Sequence, residues 1–237
     1  MDTFILIGIT GIGLGALYFL VASGLSLIYG LMGVLNFAHG SFLTVGAFVG
    51  YWVATRLGPE TTMTDFILAM IVGGLAAGLF ALLIEQLLIT RLYDRHIDQA
   101  LVTVGVSLVV GAVLGGWFGN DLIMFPTPLW FLTAVNVGGA MIPADRIVYI
   151  ATAVLLLIAN WALLKFTRIG LIIRAGVENR NMVNALGINV RRAFSTVFFL
   201  GGFAAGVGGV LVSVYSNGVS PLIAGSYLIY GFIVVVI

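Results

Sequence analysis

The chain has 237 residues, of which 61% are hydrophobic and 8% are charged, and its formal net charge is +1. A soluble domain is typically about 45–50% apolar and about 25% charged, so this chain is predicted to fold in a lipid bilayer. The near-neutral charge argues against a nucleic-acid partner, and the absence of cysteine excludes disulfides and thiolate metal sites.

Seven apolar stretches are candidate membrane spans, since a spanning helix needs about 20 mostly apolar residues. In chain order they cover residues 4–29, 38–55, 66–89, 99–118, 146–166, 193–215 and 225–237. The predicted fold class is all-α, a polytopic transmembrane helix bundle of about seven spans, with residues 1–237 forming a single integral-membrane domain. The last stretch is short for a bilayer core of about 30 Å, so we expect a chain cut at its C-terminus or ending in a half-helix.

The stretch LNFAHGSFLTVGAF, residues 35–48, places Asn36, His39, Gly40 and Ser41 between two apolar segments. Three interpretations are open: a cytoplasmic turn, a helix break that lines a solute pathway, or polar groups that hold helices together. Irregular backbone at membrane depth is tolerated where it is buried in protein or lines a cavity, and transporters place such breaks at substrate sites.

Two further features bear on the membrane region. Small-xxx-small pairs predict close helix packing at Gly11/Gly15, Gly46/Gly50, Gly74/Gly78, Gly111/Gly115 and Gly202/Gly206. Glu85 is the clear candidate for an intramembrane carboxylate. It is interpreted either as a snorkelling or paired charge at the end of its helix or as a group with a role in transport.

The distribution of basic residues predicts the orientation of the chain. With these spans, eight of the ten Lys and Arg residues fall on one side: Arg91, Arg95, Lys165, Arg168, Arg174, Arg180, Arg191 and Arg192. Because cytoplasmic loops are enriched in Lys and Arg, that side is predicted to be cytoplasmic and the N-terminus outside. Residues 119–145 then form an external loop, with a small hairpin or a re-entrant piece, and residues 167–192 form a cytoplasmic segment.

The cytoplasmic segment contains a predicted short amphipathic helix over residues 178–186. Met182, Val183 and Leu186 are expected to share one face, and Gly187 is a candidate left-handed stop. The segment is either a connector held at the interface by its arginines or a coupling helix that docks in a groove on another subunit. A phosphate-binding GxxxxGK[ST] loop and the common catalytic motifs are absent from the sequence, so we expect no enzyme activity, cofactor or metal site.

The stretch GLSLIYGLMGVLNFAHGSFLTVGAFVGY, residues 24–51, closely resembles the start of the inner-membrane permeases of ABC transporters for branched-chain amino acids, the LivH type. The resemblance implies a permease of about eight spans in a bacterial-type plasma membrane, without its own ATPase. It also implies as partners a second permease subunit, two cytoplasmic ATPase subunits and an external solute-binding protein. Family members continue beyond a VVVI-like run, so the resemblance implies that this chain is truncated at its C-terminus.

The resemblance also assigns roles to residues. Asn36, His39, Gly40 and Ser41 would line or shape the substrate pathway. Glu178, Ala185, Gly187 and Ile188 would form the ATPase docking core, although Asn179 and Arg180 stand where the family often has Ala-Ala. The implied substrates are leucine, isoleucine and valine, with urea, amides or other amino acids as alternatives within the family. Two other functions remain open. The chain is then either a stand-alone secondary transporter or channel, or a scaffold subunit that does not transport.

Overall fold

The computed structural model describes residues 2–57, 61–92 and 95–236, and this part of the chain is mostly helical. Its α-helices are α1 (Asp2–Met32), α2 (His39–Arg56), α3 (Met63–Leu87), α4 (His96–Phe118), α5 (Ala144–Phe166), α6 (Arg168–Glu178), α7 (Arg180–Ala185), α8 (Val190–Tyr215) and α9 (Ile223–Val236). Short 3-10 turns cover Ile89–Arg91 and Leu129–Leu132.

A small antiparallel hairpin lies inside the predicted external loop. Its strands are β1 (Ala134–Val137) and β2 (Ala140–Pro143), paired in the register Val135↔Ile142. The turn residues Gly138 and Gly139 both have positive φ angles, as two-residue hairpin turns require. Of the two forms expected for this loop, the structure contains the hairpin.

All seven predicted spans coincide with helices, although they differ in length. Within the described residues, five helices are long and apolar enough to cross a membrane: α1, α3 with its 3-10 extension, α4, α5 and α8. The 18-residue α2 carries His39, Ser41 and Thr44, and α9 has 14 described residues, so neither belongs to this group. Residue 237, the last of the predicted seventh span, lies outside the described residues.

The centre of the bundle is α8, which packs against α1, α2 and α3 and is buried on nearly all sides. A helix that is apolar all round and buried belongs in the core of a bundle. By contrast, α4 has buried residues only at Gln99 and Thr103, in its first turns. The bundle therefore has one central helix and one long helix attached at its edge.

Glycine allows α8 to approach its neighbours closely. A Cβ built on Gly46 would lie 2.7 Å from the carbonyl oxygen of Gly206, and one built on Gly202 would lie 2.8 Å from that of Ala77. The pairs Gly46/Gly50, Gly74/Gly78 and Gly202/Gly206 therefore pack tightly, as predicted. The prediction is wrong for the other two pairs, whose glycines do not meet a neighbouring helix within the described chain: Gly11, Gly15 and Gly111 face open space, and Gly115 faces the Asn120 side chain.

The two ends of the bundle differ in character. At one end α5 follows β2 directly, and Arg146 lies over the rings of Tyr149 and Tyr215 at 5.5 and 4.9 Å. We call this the hairpin end. At the other end Met32 of α1 packs with Val183, Val190 and Phe194. We call it the basic end, because it carries Arg91, Lys165, Arg168, Arg191 and Arg192 at or beside the helix termini.

Candidate solute pathway and coupling segment

The chain leaves helical structure between α1 and α2, where the polar motif begins. Gly33 ends α1 with a φ angle of +65°, which glycine adopts without strain. The Asn36 side-chain oxygen then accepts a hydrogen bond from the Ala38 amide at 3.0 Å, an Asx turn that starts α2. Asn36 is 0% exposed, and the Phe37 amide donates to Thr103 Oγ1 of α4 at 3.1 Å. The polar part of the break is therefore buried in protein, whereas Gly33 and Leu35 at its start are exposed.

His39 faces α1. Its ring nitrogen Nε2 lies 3.0 Å from the Val21 carbonyl oxygen, so the tautomer that fits is the one in which Nε2 donates. The residue is 1% exposed, and the ring meets Phe42 edge-on at 5.9 Å. Among the described residues, His39 Nδ1 and Asn36 Nδ2 find no hydrogen-bond partner, and such buried polar atoms are uncommon away from functional sites.

Ser41 faces a different space from His39. Together with Thr44 it lines a cleft of about 690 Å³ between α2, α4 and the segment that joins α8 to α9. Gly40 is buried, and its carbonyl oxygen accepts a hydrogen bond from Thr44 Oγ1 at 3.0 Å. Of the four predicted pathway residues, Ser41 reaches the cleft, while Asn36, His39 and Gly40 support the start of the helix that carries it.

Three polar residues of this cleft were missed by the sequence reasoning: Thr44, Ser107 and Asn120. Thr44 follows Ser41 by three positions and so lies on the same face of α2, a spacing that could have been found in the sequence. Ser107 and Asn120 lie far away along the chain, and no local pattern connects them to Ser41.

The short helix predicted over residues 178–186 is present in a shorter form as α7 (Arg180–Ala185), and it follows a second helix, α6, that was not predicted. Helix α6 ends at Glu178, and the next residue, Asn179, has a non-helical φ angle of −152°. The Asn179 side chain accepts a hydrogen bond from the Met182 amide at 3.0 Å, so it caps the N-terminus of α7. The predicted left-handed stop is confirmed: Gly187 has φ at +78°, and the Ile188 amide bonds to the Val183 carbonyl as in a Schellman motif.

The predicted apolar face of the segment is also divided. Val183 is 6% exposed and packs on Val190 and Phe194, whereas Met182 is 63% and Leu186 69% exposed. Because α7 has only six residues, its few apolar side chains cannot form a long stripe. All four predicted docking residues, Glu178, Ala185, Gly187 and Ile188, are exposed. The segment thus has one apolar anchor in the bundle and several apolar side chains directed outward.

Glu85 is buried and accepts hydrogen bonds from two hydroxyl groups. The interpretation in which its side chain snorkels to water at the end of the helix is therefore wrong. Ser195 of α8 donates to its Oε2 atom at 2.7 Å, and Thr90 donates to its Oε1 atom at 3.0 Å. The residue is 0% exposed. This carboxyl group therefore joins α3 to the first turns of α8, directly after the coupling segment.

Comparison with known proteins identifies the family. Residues 7–237 match the family described as the permease component of branched-chain amino acid transport systems. The chain belongs to this family. The predicted family and the all-α, multi-pass fold are confirmed. The comparison with solved structures found no match.

Individual relatives carry consistent names. The LivH permease protein of a high-affinity branched-chain amino acid transport system from Salmonella typhimurium is 25% identical over 221 residues, which cover 90% of this chain and 71% of the relative. The Escherichia coli K12 protein of the same name is 26% identical over the same coverage. A probable LivH permease from Methanocaldococcus jannaschii is 30% identical over 196 residues, covering 81% of this chain and 61% of that protein.

Proposed function

We propose that this permease component is the membrane-spanning subunit of an ATP-driven ABC importer for leucine, isoleucine and valine. The observation that carries the proposal is the match of residues 7–237 to the permease family, with relatives named for high-affinity branched-chain amino acid transport. The polypeptide acts as one integral-membrane domain, 1–237, in a bacterial-type plasma membrane.

The solute pathway passes the start of α2. Ser41 lines it, and Asn36, His39 and Gly40 shape it by holding the helix break in place. The support for this division of roles is geometric: Ser41 faces the cleft, whereas Asn36 bonds within its own turn, His39 to α1 and Gly40 to Thr44 of α2. An enclosed break of this kind is tolerated at membrane depth because its polar groups are surrounded by protein.

The basic end faces the cytoplasm, where residues 167–192 dock on one of two ATPase subunits. Glu178, Ala185, Gly187 and Ile188 form the docking core, next to the exposed side chains of Met182 and Leu186. Movement of α7 reaches the bundle through Val183, which packs on Val190 and Phe194 of α8. The N-terminus and residues 119–145 face outside, where the solute-binding protein delivers its cargo, and a second permease subunit completes the membrane part.

Affinity purification of the full chain from its native membrane in mild detergent tests the assembly. We expect two ATPase subunits and a second permease to co-purify, and Leu186→Asp to remove the ATPases. Ile97→Asp is the matched control, because Ile97 is also an exposed apolar residue, 85% accessible, at the start of α4 outside the coupling segment. Equal recovery of the ATPases with both variants would place their docking site elsewhere.

Uptake into vesicles tests the transport activity and its substrate. We expect ATP-dependent uptake of leucine that isoleucine and valine inhibit. Inhibition by urea or amides, and not by these amino acids, would assign the chain to the other substrate classes considered. Uptake by the isolated chain without ATP would favour a stand-alone carrier instead, and assembly without any uptake would favour a scaffold role.

A further inference from the structure

The cleft beside Ser41 has features of a ligand site that extend beyond α2. Its walls are formed by one face of α2, by α4 from Ser107 to Gly116, and by Pro221, Leu222 and Gly225 after α8. Its volume of about 690 Å³ falls within the range of about 300–1,000 Å³ typical of small-molecule sites. It therefore has room for a small solute together with water.

The shape of the cleft depends on the glycines of α4. A Cβ built on Gly111 or Gly116 would meet no atom within 4 Å, so these glycines are not there to pack a neighbouring helix of this chain. Beyond Thr103, α4 has no buried residue within its described length, and it meets α2 again only near its end, where the ring of Phe118 lies 4.7 Å from that of Phe48. Gly111 and Gly116 therefore keep space open between the two helices.

The hairpin-end boundary of the cleft is tied together by two contacts. The backbones of Ile123 and Val219 pair in an isolated antiparallel bridge, and the Ser220 hydroxyl donates to the Asn120 carbonyl at 3.3 Å. These contacts join the segment after α4 to the segment after α8. They hold Asn120 and Pro221 on the same side of the cleft.

The chemistry of the lining is polar but uncharged. Ser41, Thr44, Ser107 and Asn120 supply three hydroxyls and an amide, and none of the described lining residues is charged. In hydrocarbon such groups can bond only to other protein groups, as Thr44 does to the Gly40 carbonyl, so grouping several of them on a lipid-facing surface is unfavourable. The lining also includes the apolar side chains of Leu108, Val110 and Leu222.

We propose that this cleft is the membrane binding site of the transported solute, a small zwitterion with an aliphatic side chain. The Ser41 and Ser107 hydroxyls hydrogen-bond its carboxylate and ammonium, and Leu108 and Val110 contact the aliphatic part. This inference rests on the proposed function and adds α4 and the segment after α8 to the pathway. It makes Ser107 a substrate-contacting residue, whereas Asn120, thirteen positions further along the chain, lines the hairpin end of the cleft.

Thiol labelling tests whether the cleft holds water and solute. The chain has no native cysteine, so a single Ser107→Cys variant carries its only thiol. The thiolate is the nucleophile that attacks a methanethiosulfonate and displaces its sulfinate, and it forms in water and not in an apolar medium. In vesicles containing the assembled transporter, we expect a small cationic methanethiosulfonate to modify Ser107→Cys, and saturating leucine to slow the reaction. Val109→Cys is the control, because Val109 is exposed on the same helix outside this cleft.

Filling the cleft provides an independent test. Gly111→Leu places a large side chain in it, and we expect leucine uptake to fall about tenfold or more, as for an obstructed apolar site. Gly105→Leu is the matched control, because a Cβ on Gly105 of α4 also faces open space but Gly105 does not line the cleft. This control should transport like the wild type. Both variants are compared at equal amounts of assembled complex.

The outcomes separate this inference from the proposed function. Normal uptake by Gly111→Leu, or labelling of Ser107→Cys no faster than that of Val109→Cys, would overturn the site while ATP-dependent uptake by the wild type still stands. Absence of ATP-dependent uptake by the wild-type complex would overturn the proposed function, and the site with it.

Discussion

The two histidines of the chain have opposite surroundings. His39 is enclosed between α1 and α2 and donates to the Val21 carbonyl, whereas His96 is exposed at the start of α4. The polar motif is therefore tied to helix packing through His39 and to the cleft through Ser41. Of the interpretations that the sequence left open, the helix-packing one fits His39, and the pathway-lining one stays a proposal for Ser41.

Substitution of the buried histidine should affect stability as well as transport. His39→Ala removes a hydrogen bond and leaves a cavity next to Gly24, so we expect a loss of about 2–3 kcal/mol in the free energy of unfolding. Uptake should also fall, because α2 loses its link to α1. Thermal unfolding in mild detergent and vesicle uptake measure the two effects. His96→Ala should change neither, and unchanged stability of His39→Ala would show that its role is not in packing.

The glycines provide a second comparison between single residues. Gly46→Ala would push its methyl group against the backbone of Gly206, so α2 must move away from α8, and we expect a cost of about 1–3 kcal/mol. Gly15→Ala meets open space in the middle of α1, and its better helix propensity should leave stability unchanged or slightly higher. Size-exclusion chromatography after heating compares the two, and equal loss of the folded peak would contradict the close contact seen at Gly46.

At the scale of the elements, the junction between the coupling segment and the bundle is the part most directly linked to the proposed mechanism. Val183 anchors α7 on the start of α8, and one turn later Ser195 bonds to Glu85 of α3. A displacement of α7 therefore acts on α3 as well as on α8. This arrangement gives Glu85 a role in holding two helices together at the basic end.

Loss of the Ser195 hydroxyl should loosen this junction. Ser195→Ala removes a hydrogen-bond donor from a buried carboxyl group, and we expect stability to fall by about 1–2 kcal/mol. The neighbouring Thr196 is the control, because its hydroxyl is exposed and bonds only to the Arg192 carbonyl of its own helix among the described contacts. Thermal unfolding of Ser195→Ala and Thr196→Ala measures the difference, and equal stability of the two variants would argue against a contribution from the Glu85 contact.

The sequence predicted the positions of the helices better than it predicted which helices and residues contact each other. Seven apolar stretches became helices, since hydropathy over about 20 residues is a strong local signal. The start of α7 was predicted at Glu178 and lies at Arg180, because the side chain of Asn179 caps the helix and an apolar pattern does not reveal such a cap. Gly11 and Gly111 have the same spacing motif as Gly46 but face open space, and only the tertiary structure separates them. The cleft joins Ser41 to Asn120, a non-local relation that one sequence does not display.

At the scale of the whole molecule, the charges lie asymmetrically on the bundle. Arg91, Lys165, Arg191 and Arg192 lie at the basic end, while Arg146 lies at the hairpin end next to Asp145, 3.4 Å away. The positive-inside rule then favours a cytoplasmic basic end. This orientation is consistent with a docking surface at α7 and with an external surface at the hairpin.

Single cysteines can establish this orientation directly, because the chain has no native thiol. In intact cells we expect a membrane-impermeant maleimide to label Asp121→Cys, at the hairpin end, and to leave Arg95→Cys, at the basic end outside the docking core, unlabelled until the membrane is opened. Both positions are exposed, so access is limited by the side of the membrane and not by burial. The reverse labelling pattern would invert the topology and move the docking surface to the outside.

The central position of α8 has a consequence for how the protein is made. Val190 follows Arg56, the last residue of α2, by 134 positions. At a synthesis rate of about 5–20 residues per second, roughly 7–27 seconds pass between synthesis of the end of α2 and synthesis of the start of α8. During that time the glycine-lined faces of α2 and α3 lack the helix that fits them, and misassembly and proteolysis compete with folding. The yield of folded permease in a growing cell therefore depends on how fast the ribosome translates the segment between α2 and α8.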